Sequence, residues 1–339
     1  MKRLLSFCLI FCCCIAPVNA TEYYAKNYIV MNADTLQVLE GKEIHQTQSV
    51  ASISKIMTAI VAIENCELSQ EIVLNESISK AYGSAVYIHI GDTITMQDLL
   101  YALLLRSGND AALAIADHVG QSVEQFVEMM NQKAREIGMD NTHFNNPSGL
   151  DEEDDGNISS VYDMALLMSY CINNPIFAKI VGTQTYRRLD RNGSWTNKNK
   201  LLANYEYCLG GKTGYTKKAK RTLVNAAQKD GITLVCVTFN CGDDFGFQEN
   251  LFETYFNCFD QILLFNKGTH IIDHYKFTLD EQLTFPAKKD EEVKVSYTIQ
   301  QNKIDLYANS KLVGSYSYEY LRSPLLDKIY EVFKRLIYE

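Results

Sequence analysis

A serine three residues ahead of a lysine is a pairing that could make a nucleophile. This chain holds it twice in identical letters, Ser52-Ile53-Ser54-Lys55 and Ser77-Ile78-Ser79-Lys80. A serine hydroxyl attacks poorly until a base removes its proton. A lysine amine can be that base only where burial or a neighbouring cation lowers its pKa. On a helix, residues three apart share a face, so the amine can reach the hydroxyl. The surroundings separate the two copies. Ser52 opens a run in which Ile53, Ile56, Met57, Ile60, Val61 and Ile63 keep helical spacing. Free amides and the dipole at a helix start favour developing negative charge. Ser77 runs instead into Ala81-Tyr82-Gly83-Ser84, which reads as a loop. These surroundings favour Ser52 as the nucleophile, with Lys55 as its base.

Two further short motifs follow in order, Ser107-Gly108-Asn109 and Lys212-Thr213-Gly214. Ser107 could relay a proton between Lys55 and a leaving amine, and Asn109 could hold a substrate amide. The same residue types would equally serve as a helix stop and cap. Lys212 could be the cation that lowers Lys55, and could also receive a substrate carboxylate. Lys212 to Tyr215 follows Gly210-Gly211 and reads as a strand. At a sheet edge it could pair with an extended peptide, and glycine lets the backbones approach closely. Singly these motifs say little, since S-x-x-K and S-x-N should each occur about once by chance in a chain this long, and K-T-G in about one such chain in ten. Their ordered occurrence together carries the information.

The elements around them predict a sheet with helical cover. Residues 27–40 alternate as opening strands and reach a turn near Gly41. Helical spacing covers 52–63, then 99–119 with a break at Ser107 to Asp110, where Asp110 is a plausible cap. A third helix spans 122–138. Residues 140–160 are rich in Asn, Asp, Gly and Ser and read as turns. Strands at 222–227 and 232–239 flank Lys229-Asp230-Gly231 as a hairpin, and a helix over 249–265 closes the unit. Beyond residue 267 the pattern alternates at 293–299, 303–307 and 312–318, which predicts a small all-β domain over 267–322. The catalytic part is then 21–266.

Net charge and the chain ends narrow the class. A formal charge of -9 over 339 residues disfavours nucleic acid as a partner. Lys2 and Arg3, an apolar run from Leu4 to Ala16, and small residues up to Ala20 predict a secretory signal over 1–20. Six cysteines remain after it, scattered and without a CxxC pair, and read as free or buried thiols. In residues 323–339 Leu325, Leu326, Ile329, Tyr330, Val332, Phe333, Leu336 and Ile337 form one apolar stripe, with Asp327, Lys328, Glu331, Lys334 and Arg335 between them. Such a segment could lie in the plane of a membrane surface, or pack on the β domain.

The segments "ASISKIMTA", "LLYALLLRSGNDAALAIADHVG", "MNQKAREIGMDNTHFNNPSGLD" and "GGKTGYTKKAKRTLVNAA" together resemble the D-alanyl-D-alanine carboxypeptidases among the low-molecular-mass penicillin-binding proteins, the DacA-like group, over roughly residues 25–262. The resemblance implies an α+β fold of the serine β-lactamase and penicillin-binding kind, an antiparallel sheet with helical cover. It implies a two-step acyl transfer on peptidoglycan stem peptides ending in D-Ala-D-Ala, with acylation by β-lactams and no metal or cofactor. Ser52, Lys55 and Ser107 would be catalytic. Asn109, Lys212, Thr213, Gly214 and Tyr215 would bind substrate, and the amides of Ser52 and Tyr215 would form the oxyanion hole. Three positions depart from relatives: Asn157 stands where histidine is frequent, Lys220 replaces a glycine before Arg221, and no arginine lies between Cys241 and Asn250. A class A β-lactamase would need an E-x-x-L-N segment between Asn109 and Lys212, and none is present. A membrane-bound β-lactam sensor would need a long apolar span after residue 20. A degenerate wall-binding protein would be expected to lack a motif residue.

Overall fold

The structure, a computed structural model, describes residues 25–151, 156–188, 193–300 and 302–321. The segments 1–20 and 323–339 lie outside the described residues. A five-stranded antiparallel sheet organises the catalytic part. It is built from β1 (Ala25–Asn32), β2 (Val38–Lys42), β9 (Cys208–Thr216), β10 (Lys220–Lys229) and β11 (Ile232–Cys241), in the order β2-β1-β11-β10-β9. The K-T-G strand is therefore an edge, as its sequence suggested. Three short pairs lie outside this sheet: β3 (Gln48–Ser49) with β6 (Ile158–Ser159), β4 (Glu71–Val73) with β5 (Thr93–Thr95), and β7 (Thr185–Tyr186) with β8 (Trp195–Thr196).

The period-two alternation of strands divides the interior into two cores. Ile29 and Met31 of β1 and Val235 and Val237 of β11 face the larger core, with α1 (Lys55–Asn65), α3 (Asn109–Gly120), α4 (Val123–Ile137), α5 (Val161–Ile172) and α6 (Pro175–Val181). Val30, Leu234 and Cys236 point the other way, onto Leu251, Phe252 and Phe256 of α8 (Asp244–Phe256) and Leu201 of α7 (Leu201–Asn204). α2 (Met96–Tyr101) runs into a π-helical turn, Ala102–Arg106, which ends at Ser107. All six cysteines from Cys66 onward are free thiols, four of them buried.

Four expectations change. The first reversal falls not at Gly41 but at residues 33–37, where Asn32 Oδ1 accepts the amides of Asp34 and Thr35 and turns the chain early. Asp110 does not cap its helix: Gly108 holds the cap position. The Asp110 carboxylate instead accepts the amides of Val86 and Ile88 at 3.0–3.3 Å and pins that loop. The helix expected over 249–265 ends at Phe256, and Phe259–Phe265 is strand β12, paired with β15 (Leu283–Lys288). Its apolar residues suited either element, and a ladder partner far along the chain decided it. The strand-rich part thus begins at Phe259, with β13 (Gly268–Ile272), β14 (Tyr275–Leu279), β16 (Val295–Gln300), β17 (Lys303–Ala308) and β18 (Lys311–Tyr320) forming a second five-stranded sheet. Finally, Ser52 lies in a 3-10 turn, Ala51–Ser54, just ahead of α1, rather than in the helix itself.

Candidate active site

The turn that carries Ser52 is held in a costly shape. Ala51 has φ +54, a left-handed conformation that an L side chain adopts with strain. Two contacts hold this turn, and a third ties the adjoining loop to α1. Thr222 Oγ1 donates to Val50 O at 2.9 Å, Ser54 Oγ donates to Ala51 O at 2.8 Å, and Thr58 Oγ1 donates to Pro147 O at 2.7 Å. Glycines bring the neighbouring backbones in. A Cβ on Gly149 would stand 2.0 Å from Ala51 O, and one on Gly214 would stand 3.0 Å from the Ser52 amide nitrogen and 2.4 Å from Thr222 Oγ1. Gly214 thus lays the edge strand β9 against the Ser52 amide, where the resemblance places half of the oxyanion hole.

Lys55 is fully buried, one turn along. Its Nζ lies 3.1 Å from Ser52 Oγ and 2.7 Å from Asn109 Oδ1, and donates to the carbonyl of Ser148. Burial lowers its pKa well below the ordinary lysine value, and the charges of Lys212 and Lys198 lower it further. An amine so placed is available in its neutral form, as a base must be. Lys212 is buried as well, and desolvation, helped by Lys198, pushes it down to about 7. Its Nζ donates to Ser107 Oγ at 3.1 Å and to Thr213 O at 2.8 Å. Ser107 also has a left-handed backbone, φ +63, immediately after the π turn, so here the strained residue itself presents a hydroxyl to the site.

The structure brings the predicted residues together. Ser52, Ser107, Thr213, Gly214 and Tyr215 line one cleft of about 500 Å³, and Lys55 and Lys212 stand behind it. Asn109 is buried beside Lys55. Its Oδ1 accepts from Lys55 and its Nδ2 donates to Tyr82 O at 2.6 Å, so its side chain positions the base. The second copy of the serine–lysine motif is elsewhere, in the 3-10 turn Glu76–Lys80, where Ser79 Oγ donates to Glu76 O and Lys80 is exposed.

Several residues of the site gave no signal in the sequence. Lys198 and Ser84 line the cleft, and so do Arg221, Asp244 and Phe245. Arg221 Nε donates to Asp244 Oδ2 at 3.2 Å, so a guanidinium reaches the cleft from β10 although no arginine lies between Cys241 and Asn250. Ser148 was hidden in a loop whose residue types promised only turns. Its carbonyl is aimed by a relay that begins at Asn157, which is 1% exposed. Asn157 Oδ1 accepts the amides of Asn145 and Asn146, and its Nδ2 donates to Asn146 O at 2.8 Å. Asn146 Oδ1 then accepts the amides of Ser148 and Gly149. The departure at 157 therefore bears on Lys55 rather than on direct substrate contact.

A buried amine against a serine hydroxyl, with a second cation beside another hydroxyl and an open strand edge, is the arrangement of a serine acyl-transfer enzyme. Comparison with known proteins carries the assignment further. A family model described as D-alanyl-D-alanine carboxypeptidase matches residues 15–242. The carboxypeptidase DacF of Bacillus subtilis is 34% identical over 259 residues, which is 70% of this chain and 66% of that protein. DacB2 of Mycobacterium tuberculosis is 35% identical over 213 residues, 62% of this chain and 73% of that protein. The crystal structure of a D-alanyl-D-alanine carboxypeptidase from Mycobacterium tuberculosis superimposes with a TM-score of 0.65 at 32% identity, over 69% of this chain and 91% of that one. Penicillin-binding protein 5 of Haemophilus influenzae shares the fold over 90% of this chain and 99% of that one, with a TM-score of 0.68 at 24% identity. The chain belongs to the family of serine-type D-alanyl-D-alanine carboxypeptidases, within the low-molecular-mass penicillin-binding proteins.

Proposed function

We propose that this chain removes the terminal D-alanine from peptidoglycan stem peptides, with Ser52 as the acylated nucleophile. The observation that carries the reading is the neutral-prone, fully buried Lys55 amine at 3.1 Å from Ser52 Oγ. Lys55 takes the hydroxyl proton as the oxygen attacks the carbonyl between the two D-alanines. The developing oxyanion falls to the amides of Ser52 and Tyr215. When the C–N bond breaks, D-alanine leaves with a proton passed through Ser107, and water then hydrolyses the ester and frees Ser52. Lys212 and Thr213 receive the terminal carboxylate, and β9 pairs with the extended peptide. A β-lactam enters by the same first step, its ring opening to leave an acyl-enzyme. Release of free D-alanine from a peptide ending in D-Ala-D-Ala, measured on the mature protein, tests the reading. No release, with penicillin still bound, would make the chain a wall-binding protein instead.

The place of action belongs to the same proposal. A cleaved segment 1–20 would deliver the protein outside the cytoplasmic membrane, to wall maturation and cell shape, and the stripe over 323–339 would hold it at the membrane surface. A chain ending at Ser323 should stay active on a soluble peptide yet leave the membrane fraction. If full-length and shortened proteins bind lipid vesicles equally poorly, the anchor is wrong.

A further inference from the structure

The cleft holds a cation that touches no substrate group in the reaction above. Lys198 lines it with Ser52, Ser84, Ser107 and Thr213. The loop that presents it is built rather than loose. Asn197 Nδ2 donates to Val181 O and Thr183 O at 3.2 and 3.1 Å. Asn199, buried, donates from Nδ2 to Asn225 Oδ1 at 2.6 Å and accepts the Leu201 amide at 3.2 Å. The Lys198 amide itself donates to Leu105 O at 3.1 Å. With both neighbours anchored to the protein, the lysine between them is turned to the cleft, where its Nζ donates to Ser84 Oγ at 3.3 Å.

Its electrostatic surroundings are lopsided. Lys55, Lys212 and Arg106 are the charges that act on it or feel it. The cleft carboxylate, Asp244, is engaged by Arg221, and Asp110 is engaged by the Val86 and Ile88 amides. Among the described residues no carboxylate pairs with Lys198. This gathering of positive charge lies in a chain of net charge -9, so overall composition does not account for it. A cationic cleft complements an anionic ligand, and one ammonium offers three donors where a single hydroxyl uses one. The C-terminal carboxylate of a stem peptide engages Lys212 and Thr213, which leaves Lys198 for another anion.

We propose that Lys198 is a specificity-determining residue that receives a second carboxylate of the substrate, carried by the peptide ahead of its C-terminal D-alanine. The proposal rests on the carboxypeptidase reading and adds to it a preference for stem peptides whose extra carboxylate is free over those in which it is amidated. Two peptides test it, identical and ending in D-Ala-D-Ala, one with a side-chain carboxylate on the residue before the D-alanine pair and one with that group amidated. The wild-type protein should show a KM about tenfold lower for the free acid, the size of one charge-assisted hydrogen bond. Lys198→Gln should bring the ratio of the two KM values close to one, and Lys198→Arg should keep it. Any influence of Lys198 on Lys55 and Lys212 scales both peptides together and cancels in the ratio, as does the fraction of active protein. A wild type that does not discriminate, or a Lys198→Gln variant that still does, overturns the proposal while D-alanine release persists. If neither peptide releases D-alanine from the wild type, the carboxypeptidase reading and this proposal fall together.

Discussion

Ser52 to Lys55 and Ser77 to Lys80 have the same four letters, and both begin in a 3-10 turn, yet only the first serine lines the cleft with Ser107 and Thr213. The difference lies in what is packed on each turn. Around the first, β9 and the Gly149 loop press in so closely that glycine is required at 149 and 214, and Lys55 is sealed from water. Around the second, Asn75 accepts the Ser77 amide as an ordinary cap, and Lys80 remains in solvent. Spacing brings an amine to a hydroxyl; burial and neighbouring charge make that amine a base.

Substitutions made in parallel sharpen this contrast. Lys55→Ala should lower acylation by about 10³-fold or more even at saturating substrate, within the range for loss of a general base. Lys80→Ala should leave it unchanged. A Lys80→Ala effect comparable to that of Lys55→Ala, seen in the rate of penicillin acylation, would dissolve the distinction. Next in size is the backbone. Gly149→Ala places a methyl against Ala51 O and strains a φ of +76, so Ser52 should shift and acylation should fall about 10²-fold with the protein still folded. Thermal unfolding measured beside the rate separates misplacement from collapse.

The smallest effect, and the most diagnostic, concerns pH. Lys55 must be neutral to act, so activity rises with pH through its lowered pKa. Lys212 must be charged to hold a carboxylate, so capture weakens as pH rises through about 7 in the free protein. The profile of kcat/KM should therefore be a bell, whereas the alkaline limb should fade from kcat once bound carboxylate holds the Lys212 proton. In Lys212→Ala the acid limb should move to higher pH, because a charge that lowers Lys55 has gone, and KM should rise. An acid limb that stays in place would show that Lys212 does not tune the base.

Much of this was legible in the letters. The three motifs hold Ser52, Lys55, Ser107, Asn109, Lys212, Thr213 and Gly214, the family resemblance adds Tyr215, and the alternation in β10 and β11 marks the hairpin beside the K-T-G strand. What stayed hidden depended on long-range pairing. Nothing local in Phe259–Phe265 tells a strand from the end of α8 until β15 lies beside it. Lys198, Ser84 and Ser148 have no motif spacing, since each enters through a loop whose anchors are scattered over the chain. Asn109 is named by its motif, but its bond to Lys55 has no local signal, because it depends on α1 and α3 packing side by side.

The central claim is that the chemistry belongs to Ser52 and not to its copy. Mature protein exposed to a labelled penicillin, digested and mapped by mass spectrometry, tests it most directly. The account predicts a single adduct on the peptide between Ser49 and Lys55. An adduct on Ser77 would contradict it.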